Sequence, residues 1–180
     1  DCLLSRGLGD VYKRQLLMPV AGANVPLEPG DPGKPGSGYR SRFSHDAEVA
    51  RPGYYAVTLA ESGVRAELTA GTRVGVHRYT FPAGKDAHVV LDLRSSLYNY
   101  PGKILWSSVR LRPNGTITGM RETRGWAPAR KLYFAIRPNA PLAGHVFHNR
   151  EGKIAYTGFQ APGRGRADLA QLQGCLLYTS

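Results

Sequence analysis

The feature that most constrains this sequence is a series of short runs in which apolar and polar residues alternate, with turn residues between the runs. In Val64–Thr69 every second residue is apolar, and this period of two gives a β-strand one face for a core and one for water. Nothing from Leu16 to Pro162 sustains the i, i+3, i+4, i+7 spacing of a helix. The predicted strands are Tyr54–Leu59, Val64–Thr69, Arg73–Phe81, His88–Leu93, Val109–Arg112, Thr116–Glu122 and Leu132–Arg137, followed by a hairpin in which Val146/Phe147 and Ile154/Tyr156 flank residues 149–152.

Turn residues separate these runs and indicate how neighbouring strands pair. Ser62-Gly63 and Ala70-Gly71 each follow one run and precede the next. Asn114-Gly115 is the strongest marker, because this dipeptide accepts positive φ at both central positions of a type I′ turn. Short strands joined by such turns predict an all-β fold, an antiparallel β-sandwich or barrel.

A proline-rich stretch, residues 21–38, precedes the strands. Its prolines recur at every third position, at Pro26, Pro29, Pro32 and Pro35. Since proline fixes φ and lacks a backbone N–H, this stretch suits neither a helix nor a central strand. We expect a long surface loop.

The chain is basic, with a net charge of +11 from 24 Lys and Arg residues. The basic residues are scattered, and their densest groups are pairs such as Arg110/Arg112 and Arg164/Arg166. A nucleic-acid module usually shows a basic stripe instead, so we expect a solvated surface and no nucleic-acid partner. No run of 18 apolar residues occurs, so no membrane span is expected.

The two ends differ in character from the middle. Residues 2–5, Cys-Leu-Leu-Ser, are nearly repeated by residues 175–178, Cys-Leu-Leu-Tyr, and both resemble translated sequencing-adapter read-through; a coincidence of common residues is the alternative. We therefore expect residues 1–15 and 174–180 to be non-native tails flanking one domain over 16–173. Two cysteines at the ends make neither a disulfide framework nor a metal site. The stretch 1–15 also lacks the continuous apolar segment of a signal peptide.

Candidate catalytic and metal-binding residues are few. Asp92 lies inside an apolar run, where a carboxylate that pairs with an arginine or caps a turn is the simpler interpretation. His77 is expected to be packed and hydrogen-bonded. His145 and His148 are three apart, and in a strand such residues face opposite sides, so they cannot chelate a metal together. We assign no catalytic residue and no metal ligand.

Trp126 is the strongest candidate for a functional surface. It follows the hairpin strand in a glycine-flanked turn together with Arg121 and Arg124. An aromatic face with arginine donors suits a pyranose, which presents apolar C–H faces and a belt of hydroxyls. The alternatives are that Trp126 anchors its loop onto the core or meets another domain.

An ordered set of segments resembles a known family. The set comprises Tyr39–Asp46, Pro52–Val57, Ala66–Ala70, Arg73–Pro82, Leu91–Leu93, Thr118-Gly119 and Arg124–Ala127. In this order and spacing they resemble the N-terminal domain of glycoside hydrolase family 92. The resemblance covers most of Tyr39 to Gly144 and is weaker after it.

The resemblance implies a larger enzyme of which this chain is an incomplete part. The family comprises calcium-dependent, inverting exo-α-mannosidases, usually secreted or periplasmic. The resemblance also implies an N-terminal β-sandwich of the galactose-mutarotase-like supersandwich type, packed on a C-terminal helical barrel. The acid, the base and the calcium ligands come chiefly from that barrel, so no catalytic position carries over and no cofactor is expected in this chain. Trp126, Arg124 and Arg121 are then expected to dock to the barrel rather than to contact sugar. A stand-alone carbohydrate-binding β-sandwich is the alternative function.

Overall fold

The computed structural model describes residues 16–95, 103–125, 127–148, 155–156, 170–171 and 175–179. That part of the chain is all-β, with one short 3-10 turn at His45–Ala47 and no α-helix. The strands are β1 (Leu16–Ala21), β2 (Glu48–Arg51), β3 (Tyr54–Thr58), β4 (Arg65–Ala70), β5 (Gly75–Thr80), β6 (Ala87–Asp92), β7 (Ile104–Leu111), β8 (Ile117–Thr123), β9 (Arg130–Ile136), β10 (Gly144–His148), β11 (Ala155–Tyr156), β12 (Ala170–Gln171) and β13 (Cys175–Thr179). Within these residues, no helix is long and apolar enough to cross a membrane.

Every strand pairing whose register is described is antiparallel. The predicted fold class, an all-β protein with antiparallel sheets of the β-sandwich type, is confirmed. The chain divides into two compact units, and the boundary falls inside β6, between Val90 and Leu91.

The first unit contains a four-stranded meander in the order β2-β3-β4-β5. Each strand pairs with the next one along the chain, because tight turns join them. Gly53 and Gly63 have φ of 75° and 71°, the left-handed region that glycine enters without steric cost. The predicted turn at Ser62-Gly63 is confirmed by the Gly63 N–H, which donates to the Leu59 carbonyl at 2.8 Å.

The core of this unit follows from the alternation that the sequence shows. Ala66 and Leu68 on β4 are buried, whereas Arg65 and Thr69 are exposed. In the same unit β1 lies beside β6, whose buried run includes Val89 and Val90. A strand that is buried on both faces has a continuous apolar sequence rather than an alternating one, and β6 has such a sequence.

Four strands, β1, β2, β12 and β13, were not predicted from the sequence. β1 contains Pro19, which counts against a central strand; here β1 ends the order of its sheet, where a missing N–H is tolerated. β2 has four residues, and its ends are Glu48 and Arg51, so it carries almost no apolar pattern.

The proline-rich loop has no strand from Gly22 to Gly38, as predicted, and the strand-free segment continues to Ser44. Ala21, the first residue of the predicted loop, ends β1 instead. Its backbone folds back on itself, because the Tyr39 N–H donates to the Glu28 carbonyl at 2.9 Å. A Cβ on Gly38 would overlap the backbone of Pro29 and Gly30, so the two chain segments approach more closely than a side chain allows. The Tyr39 side chain is buried and ties the loop to the unit.

The second unit contains a four-stranded sheet in the order β12-β7-β8-β9. It also contains β13, β10 and β11, which lie side by side in a separate sheet. The hairpin predicted between β7 and β8 is present, but the predicted two-residue type I′ turn is wrong. The Arg112 N–H donates to the Thr116 carbonyl at 2.8 Å, and the Gly115 N–H donates to the Arg112 carbonyl at 2.9 Å. The loop therefore has three residues, with Pro113 at its start and Gly115 at a φ of 77°, the geometry of a type I turn followed by a left-handed glycine.

The last predicted hairpin is confirmed in its strands. Phe147 of β10 pairs with Tyr156 of β11, whereas the turn, residues 149–152, lies outside the described residues. β13 covers most of the predicted C-terminal tail, and it pairs with β10 from Gly144↔Thr179 onward. The non-native origin of both tails stays a prediction, and residues 1–15 lie outside the described residues.

Candidate functional site

Arg121, one of the three residues selected from the sequence, lies inside the second unit. It occupies β8, opposite Ser107 of β7 and Leu132 of β9. The residue is 1% exposed, and the neighbouring positions on the same face of β8, Ile117 and Thr123, are also buried. A guanidinium in this position belongs to the interior of the unit rather than to its surface.

Arg124, in contrast, is exposed. It follows the last residue of β8, and its N–H donates to the Lys103 carbonyl at 2.8 Å, which extends the β7–β8 ladder by one step. The Gly125 N–H then donates to the Ala127 carbonyl at 3.0 Å, so the chain turns here. Trp126 lies outside the described residues. Arg121 and Arg124 thus differ in burial, and the structure does not bring them together as one surface.

The opposite face of the β7-β8-β9 sheet carries two exposed aromatic residues. Trp106 of β7 pairs with Glu122, and Tyr133 of β9 pairs with Met120, so both project from the same face because side chains alternate along each strand. Trp106 is 42% exposed and Tyr133 72% exposed. We call this surface the aromatic face; its positions are Trp106, Ser108, Arg110, Thr118, Met120, Glu122, Lys131, Tyr133 and Ala135.

Trp106 was not predicted as a functional residue, and the reason is physical. The register of β7 and β8 shifts between Ile104 and Trp106, so one extra residue breaks the alternation that marks a strand. A β-bulge of this kind bends its strand and re-aims the side chains beside it. The predicted strand accordingly began at Val109, whereas β7 begins at Ile104.

Glu61, a carboxylate of the first unit, accepts three hydrogen bonds from the protein itself. Ser41 Oγ donates to its Oε2 at 2.5 Å, the Arg42 N–H donates to the same oxygen at 2.6 Å, and Arg42 Nε donates to Oε1 at 2.8 Å. Burial alone would raise the pKa of this carboxyl, but the hydrogen bonds from Ser41 and Arg42 outweigh it and the pKa lies below its ordinary value. Glu61 therefore holds residues 41–42 against the turn after β3.

Glu48 joins two further side chains of the same unit. Tyr55 Oη donates to its Oε1 at 2.7 Å, and His45 Nδ1 lies 2.6 Å from its Oε2. Burial, and then the hydrogen bond and negative charge of Glu48, raise the pKa of the Tyr55 hydroxyl well above its ordinary value. This phenol stays protonated and acts as a donor.

Two other carboxylates also accept hydrogen bonds. Tyr54 Oη donates to Glu67 Oε1 at 2.6 Å. Asp92 Oδ1 accepts from the N–H groups of Arg94 and Ser95 at 2.7 and 3.1 Å. The interpretation of Asp92 as a turn-capping carboxylate is confirmed, because both donors belong to the turn that follows β6.

His77 has a structural partner on its own strand. His77 Nδ1 lies 2.8 Å from Tyr79 Oη, and the two rings meet edge to face, so the predicted packed, hydrogen-bonded histidine is confirmed. Burial lowers the pKa of His77. His145 and His148 both lie in β10. Within the described residues, no three His, Cys, Asp or Glu side chains form a group that could hold a metal ion.

Comparison with known proteins gives one family. The model of the glycosyl hydrolase family 92 N-terminal domain matches residues 3–170. A family GH92 α-mannosidase from Bacteroides thetaiotaomicron is similar in structure, with a TM-score of 0.78 and 33% sequence identity over 97% of this chain and 22% of that chain. Its complex with mannoimidazole gives the same values. The family GH92 glycosyl hydrolase ccman5 has a TM-score of 0.65 and 26% identity over 93% of this chain and 21% of that chain.

No curated protein matches the chain. The chain spans about a fifth of the length of these solved relatives, as the 22% and 21% coverages give.

Proposed function

Because the chain belongs to the glycosyl hydrolase family 92 N-terminal domain family, we propose that it is the N-terminal β-sandwich part of an α-mannosidase. In this proposal it supports and docks to a catalytic helical-barrel domain that lies outside this sequence. The parent reaction is the hydrolysis of terminal α-mannosides from glycans, with inversion at the anomeric carbon.

One observation carries the proposal. The similarity to the Bacteroides thetaiotaomicron α-mannosidase runs over 97% of this chain but only 22% of that one. A match of this kind is expected when a chain corresponds to one part of a larger enzyme. Fold alone would not support an activity, whereas the family match adds a shared sequence over residues 3–170.

The described carboxylates favour a supporting role for this chain. Inverting glycosidases use two carboxyl groups about 6.5–9.5 Å apart, one to protonate the leaving group and one to activate water. Glu48, Glu61, Glu67 and Asp92 each accept hydrogen bonds from the protein itself, which fits carboxylates that hold turns and strands in place. We assign the acid and the base to the catalytic domain.

Calcium and cellular location belong to the same proposal. The resemblance implies a calcium ion in the parent enzyme, but the described residues provide no cluster of three metal-binding side chains. We therefore assign the calcium ligands to the catalytic domain. We also propose that the parent enzyme is secreted or periplasmic, since its substrates are extracellular glycans.

The loop after β8 is the proposed docking surface. Arg124 is exposed at its start, and Trp126 follows two residues later. Aromatic and arginine side chains are enriched where protein surfaces bind tightly. Arg121, which is buried, acts from within the sheet by supporting the strand that carries the loop.

The experiment uses the complete polypeptide of the parent gene. The purified enzyme is incubated with an α-linked mannobiose and CaCl₂, and proton NMR follows the anomer that is released first. Initial release of β-mannose supports the proposal. An enzyme that leaves every α-mannoside intact but cleaves another glycoside contradicts it.

A substitution in the same polypeptide tests the docking role. Trp126→Ala is expected to lower both the melting temperature and kcat/KM, because it loosens the contact between the domains. A loss of activity at unchanged melting temperature indicates direct sugar contact instead. Val74→Ala, at an exposed position of the first unit, is the control. Unchanged stability and unchanged activity in Trp126→Ala rule out both roles.

A further inference from the structure

We propose that the aromatic face of β7, β8 and β9 binds glycans. The proposal rests on the proposed function in one respect, since membership of a glycosyl hydrolase family supplies the ligand class. The composition and the exposure of this surface support the proposal independently.

The two aromatic residues are placed to contact neighbouring sugars. Trp106 lies on β7 and Tyr133 on β9, with β8 between them. Strands in a sheet are about 4.8 Å apart and two residues of a strand span about 6.6 Å, so these positions, in adjacent rows, are roughly 12 Å apart. Pyranose rings have apolar C–H faces that pack on aromatic rings, and two aromatic rings on one face of a sheet offer a contact to each of two sugars in a chain.

Polar side chains lie in the same rows as the aromatic rings. Glu122 separates Trp106 from Lys131 in one row, which gives an acceptor and a donor beside the indole. Ser108 pairs with Met120 in the next row, and its hydroxyl both donates and accepts. Sugar hydroxyls need partners of both kinds, so this mixture matches a glycan better than a wholly apolar ligand.

The charges on this surface disfavour other macromolecules. Lys and Glu are depleted from the buried core of protein interfaces, yet Lys131 and Glu122 share a row with Trp106. A surface for single-stranded nucleic acid combines aromatic rings with a positively charged groove that follows the phosphates. The aromatic face carries the cations Arg110 on β7 and Lys131 on β9, but Glu122 lies on β8 between these strands and would repel a phosphate there.

The experiment titrates the 180-residue chain with yeast α-mannan. The chain contains two tryptophans, so a Trp126→Phe background leaves Trp106 as the single indole fluorophore. Mannan is expected to change the fluorescence of Trp106 in a saturable way. In calorimetric titrations, Trp106→Ala and Tyr133→Ala are each expected to weaken binding by at least tenfold. Val76→Ala, at an exposed apolar position on β5, is expected to bind like the parent chain.

Two results would overturn the inference. The first is an absence of saturable mannan binding by a chain whose circular dichroism shows a folded β protein. The second is mannan binding that neither Trp106→Ala nor Tyr133→Ala weakens, including the case in which these variants instead lose affinity for the catalytic domain. Since Tyr133 is the more exposed of the two residues, Tyr133→Ala keeps the test valid if Trp106→Ala fails to fold.

The outcome is separable from that of the proposed function. A parent enzyme that releases mannose, together with a chain that does not bind mannan, rejects the glycan-binding face alone. A chain that binds mannan through Trp106 and Tyr133, together with a parent enzyme inactive on α-mannosides, rejects the proposed function alone.

Discussion

The Arg42 guanidinium and the Glu61 carboxylate meet across 2.8 Å, which connects the end of the proline-rich loop to the turn after β3. The backbone reinforces this link, since the Ala60 N–H donates to the Arg42 carbonyl at 2.9 Å. The carboxylate is the acceptor for three donors of Ser41 and Arg42. One negative charge therefore helps to hold the end of this long loop in place, together with these backbone contacts.

Glu61→Gln is expected to lower the free energy of unfolding at pH 7 by roughly 1 kcal/mol, a value kept small because Arg42 is largely exposed. The pKa of Glu61 is lowered in the folded state, so its stabilising contribution is present above the unfolded-state value of 4.5 and is lost as the pH falls through the folded-state value. Urea unfolding at pH 7 and at pH 3 measures this. Asp86→Asn, at an exposed carboxylate, is the control. An equal deficit for Glu61→Gln at both pH values contradicts the prediction.

Gly119→Ala is expected to destabilise the second unit by about 1–3 kcal/mol, the usual cost of overpacking a core. A Cβ at Gly119 would overlap the Phe134 ring and the Ser108 carbonyl oxygen, and a backbone oxygen cannot move aside as a flexible side chain can. Gly71→Ala is the matched control, because nothing lies within 4 Å of a Cβ there. Chemical denaturation measures the stability of both variants, and equal stability of the two would contradict the prediction.

His77 is expected to make stability depend on pH near neutrality. Burial lowers its pKa, so below the unfolded-state value of 6.5 the unfolded chain binds the proton more readily than the folded chain. Stability therefore falls as the pH drops below about 6.5, by at most about 1.4 kcal/mol per pH unit from this residue. The comparison is between the parent chain and His77→Phe, unfolded by urea from pH 7.5 to pH 5.5. Parallel curves for the two proteins would mean that His77 titrates alike in both states.

His88→Leu is expected to raise the free energy of unfolding by about 1 kcal/mol. Both ring nitrogens of His88 are shielded from solvent, and neither has a hydrogen-bond partner among the described residues. Removing a polar group in this state relieves its desolvation cost. His77→Leu gives the opposite sign, because it breaks the hydrogen bond to Tyr79. A thermal melt of each variant tests the contrast, and a lower melting temperature for His88→Leu would reveal a partner beyond the described residues.

The strands β3 to β9 could be predicted because their faces alternate and glycine-containing turns separate several of them. β4 is the clearest case, since its apolar residues Ala66 and Leu68 are buried and alternate with Arg65, Glu67 and Thr69. β2 is too short to carry a period. The three-residue loop at Pro113–Gly115 also could not be read from Asn-Gly alone, because the cross-strand ladder decides how many residues remain unpaired.

The functional surface was harder to predict than the fold. Arg121 and Arg124 are three residues apart in sequence, but β8 ends between them, so one is buried and the other is exposed. Trp106 lies directly after a register shift, which the local sequence does not reveal. The position of a side chain on a sheet depends on its cross-strand neighbours, and those lie far away in the chain.

The β2-β3-β4-β5 meander has a consequence for how the protein acquires its structure. Its strands pair only with sequence neighbours, within Glu48–Thr80, and such local contacts form quickly. In contrast, β12 pairs with β7 through Ala170↔Val109, which requires closure of a long loop at an entropic cost. Pulsed hydrogen exchange during refolding is expected to protect Glu48–Thr80 first. A ribosome making this protein therefore synthesises all four strands of the meander before the first strand of the sheet that carries Trp106.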